Sequence, residues 1–379
     1  LWNTTTALTN PNRYALQITH RQTTRQHFPA LDGIRGLACL VVVIYHNFGF
    51  IQKYIFFGWV SVDLFFTLSG FLITDILMKA VHRPHYLRNF YARRFFRIFP
   101  LYYLSLIIFL VLLPRFQTPL HLEYYTNNQA FIWTYLQNWL YVFNPPINTD
   151  SLNHLWSLAV EEQFYLIWPF VILILKNPKH LLIFVLLMLV GVSGIRLWAW
   201  LHQVPGLAYY NLYTFTRIDG ICIGSIVAIL LRISPGFLSR YTPAIVMVFA
   251  LLNFGFFFIN RSFSFSFPYL ALVGYTTLAM LLGLLVNRAI TKENKLINVI
   301  LNLRLLRFIG TVSYGFYIFH WPVYRGLSPW VSSRLEQVVN INLAAITTST
   351  ILSALALFLS WLSFKYFETP FLKIKERFV

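Results

Sequence analysis

Residues 30–50 read ALDGIRGLACLVVVIYHNFGF, an apolar run of membrane-crossing length with Arg35 near its start and His46 near its end. A helix needs about 20 mostly apolar residues to cross the hydrocarbon. One such run can be a buried core helix, but this chain repeats it. Further runs lie at 57–78, 99–114, 154–175, 181–201, 211–231, 243–260, 268–287, 306–325 and 343–364. Hydrophobic residues make up 58 % of the chain and charged residues 11 %, against about 25 % charge in an ordinary soluble domain. Mean hydropathy is +0.61. Such a chain cannot cover itself with polar surface. The reading is an all-α integral membrane protein, a bundle of about ten transmembrane helices. The shorter run 130–143 contains WTYLQNWLYVF. It is rich in Trp and Tyr and too short to cross, so an interfacial or re-entrant helix in an outer loop is expected.

The basic residues orient the bundle. Most of the 30 Lys and Arg fall in 1–29, 79–98, 176–180, 232–240, 288–307 and 365–379. The opposite loops hold only Lys53, Arg115, Arg261, Arg325 and Arg334. By the positive-inside rule, both termini face the cytoplasm. The expected organisation is a cytoplasmic segment 1–29, a transmembrane domain 30–364 and a cytoplasmic tail 365–379. Residues 1–29 are polar and are not expected to be a signal peptide. The net charge of +18 is then topology, and no nucleic-acid partner is needed. Cys39 and Cys222 sit in apolar runs, so neither a disulfide framework nor a metal site is expected.

Charges inside spans are informative, because each costs about 2.5–3.5 kcal/mol at mid-bilayer on insertion scales. Asp32, Asp63, Asp75, Glu161, Glu162, Asp219 and Glu368 lie in or at the edge of spans. Any one of them could simply hold helices together by pairing with a buried Arg. Asp75 is expected to pair with an Arg of the following loop. With the N terminus inside, however, His46, Asp63, Glu161, Glu162, Arg217, Asp219 and His320 all fall near the outer end of their spans. That convergence suggests a polar cavity opening outward. His154, beside Trp156 at an outer helix end, reads as interfacial. Ser69-Gly70 within a span is commonly a site of close helix packing.

The inner end is basic. Arg35 stands one turn inside span 1, and Arg93, Arg94 and Arg97 enter the membrane before span 3, with Arg93 and Arg97 on one helical edge. Attraction to anionic lipid suffices for that cluster alone, while a phosphate clamp is the functional alternative. Arg35 and His46 are eleven residues apart, which puts them on one face about 16 Å apart along the axis. That matches the reach of a phosphorylated carrier arm held near Arg35 with its reactive end at His46.

The Arg35-(ten residues)-His46 pair resembles the signature of the membrane acyltransferase-3 family, bacterial O-acyltransferases with ten transmembrane helices. Ordered segments support the resemblance: GWVSVDLFFTLSGF at 58–71, Arg93-Arg94-x-x-Arg97-Ile98-x-Pro100, and HLWSLAVEEQFYLIWP at 154–169. Weaker echoes are Arg217-Ile-Asp219-Gly220, SYGFYIFHWP at 313–322 and Phe367-Glu368-x-Pro370. The resemblance covers residues 28–372. It implies transfer of an acyl group, expected to be acetyl, from cytoplasmic acyl-CoA to a hydroxyl of a cell-surface glycan or its lipid-linked precursor, in the inner membrane. His46 would be the general base or a transient acyl carrier, with Glu161 or Glu162 orienting its imidazole. Arg35, Arg93, Arg94 and Arg97 would hold the CoA phosphates. Asp63, Ser69, Arg217, Asp219 and His320 would bind the acceptor or line a pore. The family often carries a fused SGNH esterase-like domain, and this chain is expected to lack one. No metal is implied.

Two rivals stand beside this. An enzyme acylating a small lipophilic product such as a macrolide would keep the mechanism and change the acceptor. A proton-coupled transporter or flippase would use buried acids without bond chemistry, although no inverted repeat is visible.

Overall fold

The computed structural model describes residues 28–51, 58, 60–116, 120–147, 150–204, 206–260, 269–292 and 294–378. The segment expected to be cytoplasmic, 1–29, lies outside them except for Phe28 and Pro29, as do Lys53 and Arg261. The described residues form helices and the turns that join them, with no strand.

The long elements are α1 (Pro29–Asn47), α2 (Val60–Ala80), α3 (Tyr86–Leu106), α7 (Trp156–Ile174), α8 (Pro178–Leu201), α12 (Phe237–Asn260), α13 (Tyr275–Thr291), α15 (Arg304–Leu335) and α16 (Ile341–Leu362). Helix starts follow local chemistry. Pro178 opens α8 behind Asn177, whose side chain accepts from the Lys179 amide, and Asn340 caps α16 through the Leu343 amide. Both devices satisfy amides that the helix leaves without partners.

Eight described helical stretches are long and apolar enough to cross a membrane, or nine if the short α14 (Lys295–Leu301) and α15, bent by 57°, form one broken span. Leu187, Val190 and Leu201 on α8, and Met247, Leu251 and Phe258 on α12, are exposed. Helix faces that expose large apolar side chains in this way belong in lipid, not water.

Two expected elements differ. The run 211–231 is not one helix but parts of α9 (Leu207–Leu212), α10 (Thr214–Arg217) and α11 (Asp219–Ile233). At 15 residues α11 covers only about 22 Å. It is buried from Asp219 through Ser225, at the centre of the bundle. Conversely, α15 has 32 residues and reaches about 48 Å, well beyond the hydrocarbon. The aromatic run 130–143 breaks into short helices, with α4 (Glu123–Asn127) leading into α5 (Gln129–Trp133) and α6 (Gln137–Phe143). None can cross. At the chain's other end, α16 continues through a π-helical stretch, Ser363–Glu368, into α17 (Thr369–Lys375), past residue 364.

Two close approaches set the frame. A Cβ on Gly36 would collide with the Leu306 carbonyl of α15, and one on Gly224 with the Thr67 carbonyl of α2. Small residues let these backbones touch, which is how helices associate when lipid removes the hydrophobic drive. Helix α1, which carries Arg35 and His46, is therefore seated directly on α15, which carries His320.

Candidate active site

The polar residues expected in one outer cavity separate into three groups. The first is a trio of histidines. His46 Nδ1 lies 2.9 Å from His320 Nε2. The two rings are coplanar within 5°, with centroids 5.2 Å apart. On the far side, His320 Nδ1 is 2.7 Å from the Tyr317 carbonyl oxygen and 3.2 Å from that of Phe316. His154 meets the edge of His320 with centroids 5.2 Å apart. Its Nε2 lies 3.3 Å from the Ile318 carbonyl. Pro322 explains why that carbonyl is open, because a proline has no N–H to return to residue i−4. His154 and His320 are buried, while His46 is half-buried beside Trp321, centroids 5.1 Å apart. Among the described residues no three His, Cys, Asp or Glu side chains form a group able to hold a metal ion.

The second group runs down α7. Ser157, Glu161 and Tyr165 recur every fourth residue and share one face. Ser157 Oγ is 2.6 Å from the Tyr317 hydroxyl, which donates to the His154 carbonyl at 2.6 Å. Ser69 Oγ donates to Glu161 Oε1 at 2.6 Å, and the Tyr165 hydroxyl lies 2.9 Å from Ser69 Oγ and 3.2 Å from Glu161 Oε2. The Arg94 guanidinium sits 5.0 Å over the Tyr165 ring. Arg94 is also within electrostatic range of Glu161 and Glu162. This seam spans about 12 Å and joins the histidines to the basic end.

At that end Arg35 is within electrostatic range of Arg94 and Arg97, and it pairs loosely with Asp32 at 3.7 Å. Asp32, Arg304, Arg307, Phe308 and Thr311 line a neighbouring cleft of about 420 Å³. Arg93, Arg94 and Arg97 are half-buried. Arg304 and Arg307 went unremarked in the sequence because positive-inside topology already explained them.

The third group is sealed. Arg217 Nη1 is 2.9 Å from Asp63 Oδ1 and 3.8 Å from Asp219 Oδ1, and its guanidinium lies 3.8 Å over the Tyr275 ring. Arg196 Nη1 donates to Asp219 Oδ2 at 3.0 Å, and its Nη2 donates to Thr276 Oγ1 at 2.6 Å. Two cations and two anions cancel, and all four side chains are at most 2 % exposed. The pairing ties α2, α8, α10, α11 and α13 together.

Several expectations are therefore corrected. Asp63, Arg217 and Asp219 line no open cavity, because their charges are consumed by one another and by Arg196. Glu161 does not orient His46. It is bound to Ser69 and Tyr165, and the imidazole's partner is His320. Ser69 is a hydrogen-bond donor, while its neighbour Gly70 makes the close helix contact, against the Ile221 backbone. His154 is not interfacial but buried in the site. Asp75 pairs with Lys79 on its own helix, at 2.7 Å, rather than with an Arg of the next loop. Arg196, a charge within a span, and Tyr317 join these groups without having been expected there. Proline at position 322, two residues past His320, is the signal that could have pointed to a carbonyl open for a partner.

A family model described as an acyltransferase domain matches residues 28–365. The peptidoglycan O-acetyltransferase OatA of Listeria monocytogenes is 31 % identical over 368 residues, 92 % of this chain and 56 % of that protein. The Bacillus subtilis protein YrhL, provisionally named for the same activity, is 29 % identical over 370 residues, 93 % of this chain and 56 % of that protein. The chain thus spans little more than half the length of these relatives. No solved structure matches it.

Proposed function

This chain belongs to the acyltransferase-3 family, and from that premise we propose that it is a membrane O-acetyltransferase of the cell envelope. The acetyl donor is acetyl-CoA, bound from the cytoplasmic side of the inner membrane. The acceptor is a hydroxyl of a cell-wall glycan, the class for which its relatives are named. The observation that carries the reading is the two-ended polar seam. Guanidinium groups of Arg35, Arg94 and Arg97 cluster at one end, the half-buried His46 stands at the other, and Ser157, Glu161 and Tyr165 join them.

Each end has a task. The arginines take the CoA phosphates, for which forked donors are suited, and Arg304 and Arg307 widen the basic surface around them. The carrier arm lies along the seam, where hydroxyls and a carboxylate replace water for its amides. At the outer end neutral His46 accepts the proton of the acceptor hydroxyl as its oxygen attacks the thioester carbonyl. The C–S bond then breaks and the proton passes from His46 to the departing thiolate. In this topology α1 climbs outward and both termini are cytoplasmic. A C-terminal reporter that is active only outside the cell is expected to be silent, and a strong external signal would reverse the donor side.

Purified protein supplied with labelled acetyl-CoA is expected to transfer acetyl to a glycan fragment. Arg94→Gln with Arg97→Gln is expected to raise KM for acetyl-CoA about tenfold or more, as two charge-assisted contacts imply, with the acceptor KM little changed. Absence of any acyl transfer or acetyl-CoA hydrolysis by folded protein would return the bundle to the transporter reading.

A further inference from the structure

We infer that His320 is a positioning residue that fixes the tautomer of His46, so that the lone pair of His46 Nε2 faces the reaction. This rests on His46 being the base proposed above. The argument is one of donor and acceptor roles. A carbonyl oxygen only accepts, so the nitrogen held between two of them carries a hydrogen. His320 Nδ1 is that nitrogen, 2.7 Å from the Tyr317 carbonyl and 3.2 Å from the Phe316 carbonyl. In neutral imidazole the other nitrogen is then an acceptor. His320 Nε2 therefore accepts, and His46 Nδ1, 2.9 Å away, donates. The basic lone pair of neutral His46 is left on Nε2, for which the described residues provide no hydrogen bond.

Ring geometry supports the same bond. A ring nitrogen lies about 1.15 Å from its ring centre, so a straight N–H···N contact puts the centroids one N···N distance plus about 2.3 Å apart. The observed 2.9 Å and 5.2 Å satisfy that relation, and planes within 5° of each other put both rings in the plane of the bond. A slipped face-to-face pair would bring the centroids closer. His320 is fully buried, and its carbonyl partners lie on its own helix, so the orientation survives movement of the neighbouring outer loops. A histidine here does for the base what a carboxylate does in a serine-protease triad, without placing a charge in the membrane.

The test uses the full chain in detergent or nanodiscs. His320→Ala is expected to lower kcat about 10²-fold or more, with KM for acetyl-CoA unchanged. His320→Gln puts an amide oxygen where Nε2 stood and is expected to recover much of that loss. If His320→Ala keeps kcat within about threefold, or if folded His320→Gln falls as far as His320→Ala, the positioning role is overturned. Should either variant fail to fold, ¹⁵N spectra of imidazole-labelled wild-type protein decide the matter, with the His46 resonances identified by their loss in His46→Gln. Protonated Nδ1 supports the inference and protonated Nε2 overturns it. Activity persisting in His46→Gln would instead remove the base itself, an outcome separate from the failure of His320 alone.

Discussion

His46→Gln is expected to abolish acyl transfer, with a fall in kcat of at least about 10³-fold, while acetyl-CoA still binds. Glutamine keeps the size and some hydrogen-bonding capacity of the imidazole, but it cannot take a proton. Positioned general-base catalysis contributes roughly 10²–10⁴-fold, and the described residues offer no second free imidazole beside the first. His320 is occupied by two carbonyls and by His46, and His154 is buried behind it. Donor affinity should hold, because Arg35 stands about three turns away on α1, and Arg94 and Arg97 of α3 lie at that same end. In wild-type protein, kcat/KM should climb as pH rises through the pKa of His46, since only the neutral form accepts the proton. That limb should vanish from any residual activity of the variant. Near-normal turnover in His46→Gln would make the trio structural.

Arg217→Leu is expected to destabilise the fold by about 3–5 kcal/mol, because it strands buried carboxylates beside too few cations. Asp63 loses its 2.9 Å partner, and Asp219 keeps Arg196 as its one cation beside the Thr276 hydroxyl. The loss should appear as a lower melting temperature or little folded protein in detergent. Asp63→Leu combined with Arg217→Leu should recover a large part of it, since removing both members of a buried ion pair is often near neutral. If Arg217→Leu folds normally and loses only acceptor affinity, the group is a binding site after all and its structural role falls.

Legibility in the sequence divided along physical lines. The apolar runs were plain because lipid tolerates no other backbone, and the Arg35–His46 register followed from helix pitch alone. What one helix carries on its own face could be read. What required two helices to meet could not. Depth placed Asp63, Arg217, Asp219, His46 and His320 at one level, but level says nothing about azimuth, and azimuth sorted them into a sealed ion group and an imidazole chain. The triad analogy offers Glu161 or Glu162 to His46, whereas Glu161 is bound by Tyr165 of its own helix and by Ser69, on a helix whose rotation the sequence leaves free. The run 211–231 holds three helices rather than one because hydropathy does not register the non-helical residues, Tyr213 and Ile218, that interrupt it.

The sealed ion group has a consequence for how the chain is made. Asp63 enters the bilayer with α2, yet Arg217 is translated about 150 residues later, which at 5–20 residues per second is roughly 8–30 s. Through that interval the carboxylate has no native counter-ion. Helix α2 must therefore linger at the insertion machinery or near the headgroups until α10 and α11 emerge. The centre of this bundle closes only once α10 and α11 have been made, and a ribosome stalled before Arg217 would leave α2 accessible to membrane quality-control proteases.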